Sequence, residues 1–425
     1  MKSPAREVLP ISHSLDATVS MPGSKSLTNR ALLLASLANG QTRLINALVS
    51  DDTLYFIQAL QQLGFTIQLE DDRHEITVVG TGGVIPAEKA ELFIGNAGTA
   101  ARFLTAFLTL GCGTYILDGD DRMRERPITD LVSALQQLGA NLQAGSGCPP
   151  VHINASGLAG GRARLAGNVS SQFLSALLMV GPYARRPVEL ELSTRLNSRP
   201  YVDLTLSAMH DFGIDIQRDG EERYVVQSAR YQNRPSYEIE PDASAASYFF
   251  AAPAICGGAV RVKGLRHSCK QGDLGFLKVL QDMGCAVTQG LDYMEVSAGN
   301  ALHGLDVDLS GMPDTAQTLA AIAPFAATPT RIRGIASARA KETDRVHATC
   351  SELARLGVHV EEHSDGMTIH PCQAICPASI QTYGDHRMAM AFSLIGLRVP
   401  GIRIQDPGCV SKTFPGYFGV LESLR

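Results

Sequence analysis

At 425 residues, with 45% hydrophobic and 19% charged side chains, the chain has ordinary globular composition and is too long for one compact core, so two domains are expected. A net charge of -5 with no long basic run gives no reason to expect nucleic acid or an anionic membrane as a partner, and any anion must be caught by a local site. The opening segment lacks the unbroken apolar core of a signal peptide, and no run of about 18 uncharged apolar residues occurs, so a cytoplasmic protein with no membrane contact is expected.

In chain order, the strand-like LDATVSM before residue 22 precedes a repeating pattern that then takes over. A small, polar, turn-forming tag followed by an Ala-rich apolar helix recurs at a period of roughly 72 residues, the mark of a repeat architecture. The copies begin GSKSLTNRALLLASLA at Gly23, GNAGTAARFLTAFLTL at Gly95, GNVSSQFLSALLMVG at Gly167, PDASAASYFFAAPAI at Pro241, MPDTAQTLAAIAPFA at Met312 and YGDHRMAMAFSLIGL at Tyr383. Each carries Ser, Thr, Asn or Asp where a helix N-cap belongs. Between them lie amphipathic helices that end in Gly and lead into alternating strands, as in DTLYFIQALQQLGFTIQLE from Asp52, ITDLVSALQQLGANLQ from Ile128 and HATCSELARLGVHVEE from His347. Leu and Met at helical spacing supply a buried stripe, and the Gly is a C-cap signal. The pattern predicts an α/β chain of six βαβαββ-type units, three per domain. The loop at Arg234-Pro235-Ser236 places the division near residue 240. Parallel helices of such units present their N-termini together, and a face of that kind binds anions.

The polar tags carry the candidate chemistry. Lys25, Ser26 and Arg30 head the first helix; a solvated capping turn would account for them, but cations at a helix N-terminus oppose its dipole, which a bound anion would explain. Gly95, Asn96, Gly98 and Thr99 make a small-residue turn, either plain turn chemistry or a place where backbone N–H groups approach a ligand. Arg122, Arg124 and Arg126 crowd three guanidinium groups about one carboxylate, Glu125, a set suited to phosphate or carboxylate even if two of them are solvated. Ser170, Ser171 and Gln172 offer a hydrogen-bonding cradle or a simple N-cap. The acid and base candidates are Asp314, Glu342 flanked by Lys341 and Arg345, and Asp385, His386 and Arg387; KETDR could equally be a surface salt-bridge network. Lys412 closes the set. Nine scattered cysteines read as reduced thiols. His363, His370, Cys372 and Cys376 lack zinc-like spacing, so no metal is expected.

Together, PGSKSLTNRALLLA, GNAGTAAR, RMRERPI, VSSQFLSALLM, DASAASYF, KETDR, GDHRMAMAF and KTFP occur in the order and spacing of EPSP synthases, and the chain resembles their common bacterial and plant type over essentially its whole length. The resemblance implies two inside-out α/β barrels of three repeats each, 23–239 and 1–22 plus 240–425, closing over substrates in an interdomain cleft. It implies transfer of the enolpyruvyl group of phosphoenolpyruvate to the 5-hydroxyl of shikimate 3-phosphate, in aromatic amino acid biosynthesis, with no metal or organic cofactor. Carried across by motif, Ser26 and Arg30 hold the shikimate carboxylate, and Ser170, Ser171, Ser198 and Lys341 receive the 3-phosphate. Lys25, Gln172, Asp314 and Ser337 also touch shikimate 3-phosphate. Lys25, Gly98, Arg126, Gln172, Arg345, Arg387 and Lys412 surround phosphoenolpyruvate. Asp314 deprotonates the 5-hydroxyl, while Glu342 and Lys25 carry protons to and from the vinyl carbon. Glyphosate is implied as a competitive inhibitor at the phosphoenolpyruvate site, and a monomer is expected.

Three positions depart from the family pattern: Ser337 where Asn is usual, Asn168 where Ser is common, and Phe103 where most relatives have Pro. Without a first-turn proline, a shift of Gly98 that reduces glyphosate sensitivity is expected. Among rivals, UDP-N-acetylglucosamine enolpyruvyl transferases share the architecture but carry a reactive cysteine near residue 115, whereas Cys112 here sits in GCGTY at a turn before a strand. An RNA 3'-phosphate cyclase would need a nucleotide-accepting histidine and a basic face. A catalytically inactive binding protein would have no physical reason to keep so many converging charges.

Overall fold

A computed structural model describes residues 3–70 and 73–425. The chain forms two compact units, one of Gly23–Ile239 and the other of the segment ending at Pro22 together with Glu240–Arg425. The α-helices, in order, are α1 (Lys25–Leu37), α2 (Asp51–Gln62), α3 (Gly98–Leu108), α4 (Thr129–Gln137), α5 (Ser171–Val180), α6 (Arg199–Asp211), α7 (Ala243–Cys256), α8 (Phe276–Asp282), α9 (Ala316–Ile322), α10 (Arg345–Arg355), α11 (His386–Gly396) and α12 (Tyr417–Glu422).

Helices that follow the polar tags are apolar nearly all round, and such helices must be covered on every side. Accordingly α1, α3 and α5 fill the interior of one unit, and α7, α9 and α11 that of the other. In α1, Leu32, Leu33, Leu34 and Leu37 are all 0% exposed, each burial contributing about 1.5–3 kcal/mol. The amphipathic helices keep a polar face. Five of them, α2, α4, α6, α8 and α10, end as the sequence predicts, on Gly64, Gly139, Gly213, Gly284 and Gly357, all at positive φ. In each the residue after the glycine donates its N–H back to the helix, as Phe65 does to the Leu60 carbonyl and Val358 to that of Leu353, the pattern of a Schellman cap.

Each repeat adds a small mixed sheet. Lys89–Phe93 runs parallel to Cys112–Asp118, which pairs antiparallel with Val151–Ser156, itself antiparallel to Asn141–Ala144. The same order recurs for Gly161–Leu165, Val188–Leu192, Arg223–Val226 and Gln217–Asp219. The six repeats are linked to one another, because strands are exchanged within each unit. The strand parallel to Asn39–Ile45 is Ser236–Glu238, so Ser236 is strand rather than loop. Leu15–Ser20 fills the corresponding place beside Gly258–Lys263, and Arg6–Glu7 completes the sheet of Arg403–Ile404 and Ser379–Ile380. These pairings cover sheet edges whose backbone groups would otherwise lack partners.

The N-cap expectation holds at Ser24, Ser170, Asp242 and Asp385, whose side chains accept first-turn N–H bonds. It fails at α3, which Ala97 caps without a side-chain bond, and at α9, which grows out of the 3₁₀ turn Pro313–Thr315. The polar residues of those tags, Asn96 and Asp314, bind arginines instead. No helix among the described residues is long and apolar enough to cross a membrane. All nine cysteines are free.

Candidate active site

In the Gly23–Ile239 unit the first tag places Lys25 at the start of α1, where its Nζ lies 3.2 Å from Asp52 Oδ2 in the first turn of α2. The unfavourable position at a helix N-terminus is thus partly offset by a carboxylate, which the sequence argument for a bound anion did not weigh. Arg30, 2% exposed, donates from Nε to Thr205 Oγ1 (2.8 Å), from Nη1 to the Ser26 carbonyl (2.8 Å), and from Nη2 to the Tyr201 carbonyl (2.8 Å) and Ser175 Oγ (3.5 Å). Burial pushes its guanidinium down to about 10, against the attraction of Tyr201 and Tyr237. Its Cζ stands 5.4 Å from the centroid of the fully buried Phe103 ring. Phe103 lies in the second turn of α3 rather than the first, so the argument from a first-turn proline does not apply to this chain.

The GNAG turn and RMRERP form one construction. Arg126, 4% exposed, donates from Nη1 to the Asn96 side-chain oxygen (2.8 Å) and carbonyl (3.2 Å), and its guanidinium lies directly over Gly98. A Cβ at Gly98 would fall 2.3 Å from Arg126 Nη2, so only glycine admits the arginine there. Arg126 Nε is buried with no hydrogen-bond partner. The other two arginines are surface groups, Arg122 paired with Glu125 (2.7 Å) and Arg124 with Asp118 (2.6 Å). Ser170 caps α5 and accepts from the Gln172 N–H (3.3 Å), while Gln172 Nε2 donates to Thr99 Oγ1 (3.1 Å), tying the starts of α3 and α5 together. Ser198 caps α6 at φ 55°, a conformation uncommon for a residue with a side chain. Asn168 accepts from Thr194 Oγ1 (3.0 Å) and Asn197 (2.8 Å to its carbonyl), which fixes the loop leading to Ser198.

In the other unit, KETDR is not a surface network. Arg345, 3% exposed, donates to Asp385 (2.7 Å from Nε), to Asp314 (3.0 Å from Nη1) and to Glu342 (2.8 Å from Nη2). Burial would lower the Arg345 pKa, but Asp385, Glu342 and Asp314 outweigh it and hold the guanidinium above its ordinary value. Arg387 grips Asp314 from the opposite side, donating to Oδ2 (2.8 Å) and to the Asp314 carbonyl (3.1 Å), and reaches the Tyr248 hydroxyl (3.4 Å). Lys412 Nζ is 4.0 Å from Glu342 Oε1. Asp385 is fully buried, caps α11 through the Arg387 N–H (2.9 Å) and links Arg345 to that helix. Removing one member of such a buried set leaves the others uncompensated, at a cost of about 3–5 kcal/mol. Lys341 and Ser337 are half-buried and flank this cluster in sequence.

Sequence reasoning did not foresee Asn96 as the anchor of Arg126, Thr205 and Tyr201 as those of Arg30, or the buried Asp273. The Asp273 carboxyl accepts from Ser244 and is pushed up to about 6 by burial and by Asp314, with Ser244 and Arg387 opposing. Nothing in the tag spacing marks residues so far apart in the chain. Of the histidines weighed in the sequence, His363 bonds Thr368 Oγ1 (2.9 Å), while His370 meets His359 and Glu361, two residues that its spacing to Cys372 and Cys376 did not bring into view.

The model of the EPSP synthase family (3-phosphoshikimate 1-carboxyvinyltransferase) matches residues 10–421. The chain belongs to the EPSP synthase family. It is 52% identical over 411 residues to the 3-phosphoshikimate 1-carboxyvinyltransferase of Nostoc sp. and 53% identical over 411 residues to that of Trichormus variabilis, covering 96% of each chain in both cases. The fold matches a solved EPSP synthase from Acinetobacter baumannii with a TM-score of 0.81 at 25% identity, covering 98% of this chain and 97% of that one. The six small sheets and central helices are therefore the inside-out α/β repeats of EPSP synthases.

Proposed function

We propose that the protein transfers the enolpyruvyl group of phosphoenolpyruvate to the 5-hydroxyl of shikimate 3-phosphate, releasing phosphate. The observation that carries the reading is the buried cluster in which one carboxylate, Asp314, is clamped by Arg345 and Arg387 while Glu342 sits beside Arg345 and Lys412. Addition of a hydroxyl to C2 as C3 is protonated, followed by loss of phosphate and of a methyl proton, needs a base at the hydroxyl, an acid and base at one carbon, and cations at the leaving group. Asp314 takes the hydroxyl proton. Glu342 and Lys25 serve the vinyl carbon.

Arg345, Arg387 and Lys412 stabilise the phosphate and carboxylate of phosphoenolpyruvate, as do Arg126, Gly98, Gln172 and Lys25. Ser170, Ser171, Ser198 and Lys341 take the 3-phosphate. Ser26 and Arg30 take the shikimate carboxylate, Arg30 from a guanidinium that Thr205 and Tyr201 hold in place. Ser337 completes this set with a shorter side chain than the usual Asn. Glyphosate competes with phosphoenolpyruvate. The chain is read as acting alone, as a monomer.

The test is phosphate release from purified protein given both substrates. Release that requires both, with the product carrying the enolpyruvyl group at the 5-oxygen, is expected; no release at saturating substrates overturns the assignment.

A further inference from the structure

The short hairpin that follows α10 carries a set of donors unrelated to the proposed reaction. Its strands, Val360–His363 and Gly366–Ile369, pair antiparallel with Val360 opposite Ile369, so the next residues out, His359 and His370, face one another. Their backbones are joined by the His370 N–H to the His359 carbonyl (3.0 Å), and their rings lie with centroids 4.3 Å apart. Glu361, two residues along from His359, projects from the same face of the strand. Its Oε1 is 2.7 Å from His370 Nε2. One ligand atom from each of His359, Glu361 and His370 lies within 4.8 Å of the other two.

We propose that His359, Glu361 and His370 form a binding site for a divalent transition-metal ion of the zinc class. Two imidazoles and one carboxylate are a donor set such ions prefer, and hard cations such as Mg²⁺ do not. Tetrahedral bonds of about 2.0–2.1 Å place neighbouring donors roughly 3.3 Å apart, so the pair now at 2.7 Å opens slightly and the third donor closes in. These are small side-chain rotations on a backbone already fixed by strand pairing, and the partly exposed site leaves a fourth position to water. The ion then bridges both strands of the hairpin and stabilises the folded chain by mass action. Cys372 and Cys376 take no part, because their sulfurs turn toward Gly357, Cys372 Sγ standing 3.8 Å from the Gly357 carbonyl.

The test is titration of chelator-stripped protein with Zn²⁺ and, separately, Ni²⁺ by calorimetry, with thermal unfolding read in parallel. One saturating site per chain at micromolar metal is expected, with a raised Tm and no competition from excess Mg²⁺. His359→Ala and His370→Ala each weaken that site about tenfold or more, and Glu361→Gln weakens it less. A Cys372→Ser/Cys376→Ser variant binds as the wild type does. Absence of saturable binding, or a site of unchanged affinity in the His359→Ala/His370→Ala double variant with native melting, overturns the proposal.

Discussion

Replacing Gly98 by Ala asks whether Arg126 owes its position to a missing side chain. The added Cβ would stand 2.3 Å from Nη2, 2.8 Å from Cζ and 2.9 Å from Nη1, where ordinary contact begins at 3.4 Å, so the guanidinium must withdraw by about 1 Å. It cannot do so and keep both bonds to Asn96. A misplacement of that size costs on the order of 10²-fold in rate, about 2.7 kcal/mol of transition-state stabilisation. The fold has little at stake, because what must move is the end of a flexible side chain, and Ala favours a helix over Gly by up to about 1 kcal/mol. The expected result is a kcat/KM for phosphoenolpyruvate lower by on the order of 10²-fold, with a raised KM, a Tm equal to or above that of the wild type, and a KM for shikimate 3-phosphate that changes little. Steady-state phosphate release and thermal unfolding on the same preparations decide it. A wild-type KM for phosphoenolpyruvate would refute the reasoning, and a matching fall in Tm would show that position 98 acts through folding instead.

Three further outcomes are expected. Asp314→Asn keeps the shape of the side chain but removes its charge, so turnover falls by about 10²-fold or more while shikimate 3-phosphate binding, measured by calorimetry, weakens far less; near-normal turnover places the base elsewhere. Folding raises the Asp273 carboxyl from 3.8 to about 6, so the folded chain holds an extra proton between roughly pH 4 and 6 and stability is lost as pH rises through that window. Asp273→Asn abolishes that loss, and denaturant melts that show the same pH slope in both proteins would sink the idea. Phe103→Pro puts a ring without an N–H into the second turn of α3 and empties the space beneath Arg30, which destabilises by about 3 kcal/mol or more. Thermal unfolding of the two proteins checks this, and an unchanged Tm would show that the second turn of α3 accepts proline.

The repeat, the helices and their glycine caps were legible in the sequence because they are local: a Schellman cap needs only a glycine at the right offset, as at Gly64 or Gly357, and an all-apolar helix such as α7 has to be buried wherever it goes. The tags also showed which residue types were present. They could not show how those residues divide. RMRERP holds three arginines of like chemistry, yet only Arg126 is drawn inward, because Asn96 receives it and Gly98 leaves room. KETDR read equally well as a solvated network, and its burial depends on Asp314 and Asp385, which lie 31 and 40 residues from Arg345. Strand exchange escaped the sequence for the same reason, since pairing Ser236–Glu238 with Arg43–Ile45 joins the two ends of one unit. The sequence by itself determined what each segment becomes, through periodicity and turn chemistry acting over a few residues. Tertiary structure alone decided which charges meet, because a buried ion pair is selected by the partner that offsets its desolvation, and that partner comes from a distant part of the chain.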